Sequence, residues 1–118
     1  MKIMKKLLLT AGAIALVGCS NFATNLFRTE QALTGSAYTA YVAYTNGLAS
    51  GTIKPSMEES NSIKSARIHF AASVLTVEGW RQAYATNSAV QPQAQAALTG
   101  LIEDSSNVVY LINLVRAK

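Results

Sequence analysis

Seven positions near the C-terminal end of this chain restrict its fold more than any others. Ala94, Leu98, Leu101, Ser105, Val108, Ile112 and Val115 follow one another at alternating steps of four and three residues. That strict seven-residue repeat lays one seam along one side of an α-helix, in the sense that favours left-handed packing of helix on helix. Such a seam of Leu, Ile and Val is not stable in water, so neighbouring helices have to cover it. Pro92 stands just ahead, where a first helical turn tolerates it, and the helix is predicted over about 92–116.

Two further segments supply the cover. Ser56 lies three residues before Glu59, an S-x-x-E pattern in which each side chain can satisfy the other's free backbone amide at a helix start. Behind it Ile63, Ala66, Phe70, Val74, Val77, Arg81 and Tyr84 recur at steps of three or four, which predicts a helix over about 56–86. Upstream, Leu26, Leu33, Ala37, Tyr41, Tyr44 and Leu48 form a third stripe, predicting a helix over about 27–47 that stops at Asn46-Gly47. No stretch alternates apolar and polar residues long enough for a half-buried strand, and the short breaks favour antiparallel neighbours. The expected fold is all-α, a small up-down-up three-helix bundle over 27–118, with one core in a chain of 118 residues. The first helix is expected to be shorter than the second. Gly35, Gly79 and Gly100 fall inside the helices, where each costs roughly 1 kcal/mol relative to Ala. Close helix approach and a kink at Gly79 are the explanations open to the sequence.

The first 18 residues are organised differently. A basic start, "MKIMKK", is followed by an apolar run from Leu7 to about Val17 and then by small residues, the layout of a secretion signal. The apolar run is well short of the ~20 residues that a membrane-spanning helix needs. Lys2, Lys5 and Lys6 also account for three of the four formal positive charges. From residue 19 onward seven basic residues face six acidic ones, so the folded part carries no charge excess that calls for nucleic acid.

Directly behind the apolar run stands Cys19, the only cysteine in the chain. Leu16-Val17-Gly18-Cys19 resembles the lipobox of bacterial lipoproteins, in which Leu, a small or aliphatic residue and Gly or Ala precede the modified Cys. The resemblance implies transfer of diacylglycerol, with palmitate-type acyl chains, to the Cys19 thiol, cleavage between Gly18 and Cys19, and acylation of the new amino group. It covers a processing signal and not the folded domain. By the same resemblance Ser20, in place of Asp, directs the protein of a two-membrane host to the cell outer membrane, with the domain facing the periplasm; in a host with one membrane it stays on the cell surface. Residues 19–26 then read as a lipid-attached tether. A free thiol, an intermolecular disulfide and a catalytic nucleophile are the other roles open to a lone cysteine, and none of them uses the signal in front of it.

Little in the mature part suggests catalysis. His69 has Ser65 and Ser73 at its helical neighbours, so its own helix offers no second metal ligand. Glu58-Glu59 and Glu103-Asp104 are adjacent pairs, and consecutive helical positions point about 100° apart, so neither pair is a carboxylate dyad. No nucleophile elbow, phosphate loop or paired Cys or His motif occurs. No enzymatic activity, no metal and no cofactor beyond the covalent acyl chains is expected. Arg81 interrupts an apolar stripe three residues after Glu78, and is expected to pair with it or to reach water.

The aromatic residues are the most suggestive feature. Tyr38, Tyr41 and Tyr44 advance by three residues, each step falling about 60° short of a full turn, so the series drifts around its helix. Tyr41 and Tyr44 fit the core, Tyr38 the surface. With Trp80 and Tyr110 off the core stripes, these five residues form a candidate partner face, because Tyr and Trp join a large apolar body to a polar tip. The function expected is that of a membrane-anchored, non-catalytic helical module that binds or regulates another envelope protein. A phage or prophage lipoprotein acting in lysis or superinfection exclusion, and a self-associating structural envelope protein, are the alternatives.

Overall fold

A computed structural model describes residues 21–118. Cys19, its cleavage partner Gly18, the sorting residue Ser20 and the signal over 1–18 lie outside the described residues. Three long helices account for the rest: α1 (Phe22–Ser50), α2 (Met57–Thr86) and α3 (Gln91–Arg116), with a single 3₁₀ turn, Ser88–Val90, between the last two. α1 and α2 have 29 and 30 residues, so the first helix is not markedly the shorter.

Three of the helix boundaries have a local cause. At the start of α2 the Ser56 hydroxyl accepts from the Glu59 N–H at 3.1 Å, and Glu59 Oε1 accepts from the Ser56 N–H at 2.8 Å, so the capping box forms in full. Pro92 lies in the first turn of α3. The Asn87 side chain accepts from the Ala89 N–H at 3.1 Å and turns the chain out of α2 into the 3₁₀ turn.

Both ends of α1 depart from the sequence expectation. It begins at Phe22 instead of near Phe27, so residues 22–26 belong to the bundle and not to a tether. The reason is packing: Phe22 and Leu26 are one helical step apart, and both are buried. At the other end α1 runs past Asn46-Gly47 to Ser50 and closes at Gly51, whose φ of 78° is the left-handed conformation that glycine accepts without strain. Gly47 serves a different purpose. It is buried under Ile53, which the loop folds back with its N–H donating to the Gly47 carbonyl at 3.0 Å; a Cβ at position 47 would collide with the Ile53 side chain. Leu48, expected on the buried stripe, is accordingly exposed. Gly35, Gly79 and Gly100 have open space where a Cβ would project, so none of them marks a close helix approach.

All seven positions of the α3 seam are buried. α3 packs along both partners, whereas α1 and α2 touch each other least. α2 runs antiparallel to the other two. Phe22 at the start of α1 stacks on Tyr84 near the end of α2, and Lys118 behind α3 pairs with Glu59 at the start of α2. The core has two halves. Phe22, Leu26, Val77, Ala94, Leu98, Leu101 and Ile102 fill one; Tyr44, Ile53, Ile63, Ala66, Val108, Ile112 and Val115 fill the other, and Phe70 packs against both. Between them the buried Ser105 hydroxyl donates to the Leu33 carbonyl at 3.2 Å, which satisfies the one polar group of the seam. The bundle measures 49 × 26 × 19 Å. Among the described residues no helix is long and apolar enough to cross a membrane.

Candidate functional site

Because α1 and α2 lean on α3 more than on each other, the seam between them is open along most of its length. In its upper part Thr34, Ala37, Tyr38 and Tyr41 from α1 face Arg67 and Phe70 from α2, with Val108 of α3 as the floor, around a hollow of about 300 Å³. In its lower part Phe27, Glu30, Gln31 and Thr34 face Val74 and Glu78 around about 510 Å³. Thr34 borders both, so the two hollows are stretches of one trough.

The tyrosines divide as their angular drift dictates. Tyr38 is 68% exposed, Tyr41 is half-buried on the rim, and Tyr44 is in the core. Arg67 holds the rim: its Nη1 donates to Tyr41 Oη at 2.8 Å while the guanidinium lies 4.8 Å from the centre of the same ring. An arginine stacked on and bonded to one tyrosine has lost much of its freedom, which lowers the entropy a partner must remove on docking. Trp80 and Tyr110 do not join this face. Trp80 is half-buried against the core half near Phe22, and Tyr110 is half-buried on α3. The five-residue candidate face therefore contracts to Tyr38 and Tyr41 with Arg67, while Tyr44 belongs to the core.

The lower trough holds a group that the stripe reading passed over. Glu30 is 4% exposed, one helical turn from Leu26 and three residues before Leu33, so it sits in register with the apolar stripe of α1. Arg81 occupies the equivalent position on α2, between Val77 and Tyr84. In an antiparallel pair these two interruptions meet: Arg81 Nε lies 3.7 Å from Glu30 Oε2, and Arg81 Nη2 donates to Glu78 Oε2 at 2.6 Å. Arg81 also covers the Phe27 ring at 5.0 Å. Glu30 and Glu78 thus both lie against the single guanidinium of Arg81. Burial, then the hydrogen bond and charge of Glu78, push Glu30 up to about 7, while Arg81 pulls the other way. Glu78 is held below the ordinary carboxylate range by its hydrogen bonds with Glu30 and Arg81. A carboxylate and a guanidinium that both break an apolar stripe are the signal that would have paired them from sequence.

Elsewhere the chemistry is sparse. His69 is exposed on α2, and its helical neighbour Ser73 donates instead to Asp104 of α3. Among the described residues no three His, Cys, Asp or Glu side chains gather as a metal site. A hollow of about 800 Å³ between α2 and α3, bordered by Met57, Asn61, Ser65, Asn107 and Leu111, is wide and of mixed polarity, without a rigid aromatic anchor. Compared with protein-family models, with curated proteins and with solved structures, the chain matches none.

Proposed function

We propose that the chain is a bacterial envelope lipoprotein, a lipid-anchored and non-catalytic helical module that engages an envelope protein through the α1–α2 trough. The observation that carries this reading is the sequence order of basic start, apolar run and Leu16-Val17-Gly18-Cys19, followed within three residues by the buried Phe22. A cut between Gly18 and Cys19 falls just outside the bundle, so processing would leave the core intact. A thiol is the side chain most readily made into a nucleophile for alkyl transfer. Each buried methylene contributes roughly 0.8 kcal/mol, so two or three acyl chains hold a protein on a bilayer where one holds it marginally. Anchoring raises the local concentration of a modest binder near its target, and the Tyr38, Tyr41 and Arg67 rim has the composition of an interface centre.

Intact mass spectrometry of the protein from bacterial membranes tests the anchor. The expected mass of the wild type is that of residues 19–118 plus acyl chains, and Cys19→Ser is expected to remain at full length. Unmodified masses in both would sink the anchor.

The trough is tested by placing a photo-crosslinking residue at Tyr38 and, as control, at the equally exposed Leu75. One envelope protein joined in a 1:1 adduct from position 38, absent from 75 and lost in Arg67→Glu, is the expected result. Chain-to-chain adducts that grow with concentration would favour self-association instead.

A further inference from the structure

The geometry points to the end of the bundle nearest Cys19 as a membrane-docking surface: it rests on the lipid headgroup layer and stands the bundle upright. This inference rests on acylation of Cys19 and adds the orientation of the domain. Charge is distributed unevenly along the 49 Å axis. Gln82 to Ile102 contains no charged residue, and neither does Asn21 to Phe27. These two segments are the end of α2, the 3₁₀ turn, the start of α3 and the start of α1, and the fold brings them to one end, where Phe22 stacks on Tyr84 and packs in the same core as Ala94. Its exposed residues are small or uncharged, among them Thr24, Ala85, Asn87, Ala89 and Gln93. The opposite end carries Lys54, Glu58, Glu59, Lys64, Arg116 and Lys118.

Distance makes the first end the one at the bilayer. Only Ser20 and Asn21 lie between Cys19 and Phe22, and an extended chain spans at most ~3.6 Å per residue, so the start of α1 stays within about 11 Å of the anchored residue. A surface held that close loses bulk water. Unpaired charges there would carry a large desolvation cost, whereas amides and hydroxyls carry a smaller one that hydrogen bonds to headgroups offset, and methyl groups carry none. The first charge up the helix is Arg28, six residues from Phe22 and about 9 Å higher at 1.5 Å per residue, within reach of headgroup phosphates. The next, Glu30, Glu78 and Arg81, are paired with one another. In this orientation Tyr38 and Tyr41 stand roughly 24–28 Å above the start of α1, so the partner must present its binding element that far from the bilayer.

A thiol consumed by acylation makes the test clean, because a second cysteine is then the only site for a dye. Full-length Ala89→Cys, Gln93→Cys, Ala72→Cys and Lys54→Cys are purified from bacterial membranes, labelled, and placed in phosphatidylethanolamine–phosphatidylglycerol vesicles carrying a headgroup nitroxide. Dyes at 89 and 93 are expected to lose most of their emission, and those at 72 and 54 to lose none. Quenching at 72 equal to that at 89 would mean that the bundle lies flat on the exposed Ile68 and Leu75 side of α2, and would overturn the proposal; so would the absence of quenching at all four. One dye per chain with either of those patterns leaves acylation standing and removes the docking. Two dyes per chain would show a free Cys19 thiol and remove both.

Discussion

Leu101→Ala is expected to cost 2–5 kcal/mol, the range seen when a buried leucine is truncated in a core that cannot fully collapse. Leu101 has no exposed surface and lies on the α3 seam, in the core half formed with Phe22, Leu26 and Val77. Collapse is resisted because α3 is held on both flanks, by α1 and by α2, so a shift toward one partner opens a gap against the other. For a domain of this size 1 kcal/mol moves the thermal midpoint by roughly 4–8 °C, so a fall of 10 °C or more is expected by calorimetry or circular dichroism. Leu75→Ala is the control. Leu75 is 73% exposed, and its truncation is expected to stay within about 0.5 kcal/mol of wild type. Equal losses at the two positions would mean that the α3 seam is not the centre of the core.

The contrast between those leucines was legible in the sequence, and the reasons show where such reading stops. The α3 seam was readable because its seven-residue repeat is sustained from Ala94 through Val115, and every one of its positions is buried, although the repeat does not pick out Ile102, which is buried beside it. The start of α2 was readable because a capping box is a local arrangement that needs no tertiary partner. The start of α1 was not. Asn21 makes no side-chain cap, so nothing local announces that helix, and Phe22 enters the core only because Tyr84 and Ala94 arrive beside it from distant parts of the chain. The end of α1 was misplaced for a related reason. Asn46-Gly47 carries the usual composition of a helix stop, but Gly47 answers to Ile53 folding over it, and the left-handed glycine is Gly51. The tyrosine series gave the drift of its side chains from periodicity alone. That Arg67 would fasten Tyr41 follows only from the register between α1 and α2.

The same register sets the pH response of the bundle, and Glu30→Gln is the variant that exposes it. In the native fold burial raises Glu30 from 4.5 to about 7, so between those values the folded protein holds a proton that the unfolded chain has released. The folded state binds more protons, and stability therefore falls as pH rises across this window. The full stabilisation is present below about 4.5 and is gone above about 7, a change of up to about 3 kcal/mol at 1.36 kcal/mol per unit. Glu78 works in the opposite sense but elsewhere: its depressed value gives a contribution lost only as pH falls below the ordinary carboxylate range. A glutamine at position 30 matches glutamate in size and cannot ionise. Denaturant unfolding from pH 4.5 to 8 is expected to show the wild type losing stability relative to Glu30→Gln, with the two close at pH 4.5 and the variant ahead by 1–3 kcal/mol at pH 8. Arg81→Met in the wild-type background is expected to widen the fall with pH, since the guanidinium is the one nearby group that favours an ionised Glu30. Parallel profiles for wild type and Glu30→Gln would mean that Glu30 stays ionised in its buried place beside Arg81, with Glu78 displaced into solvent.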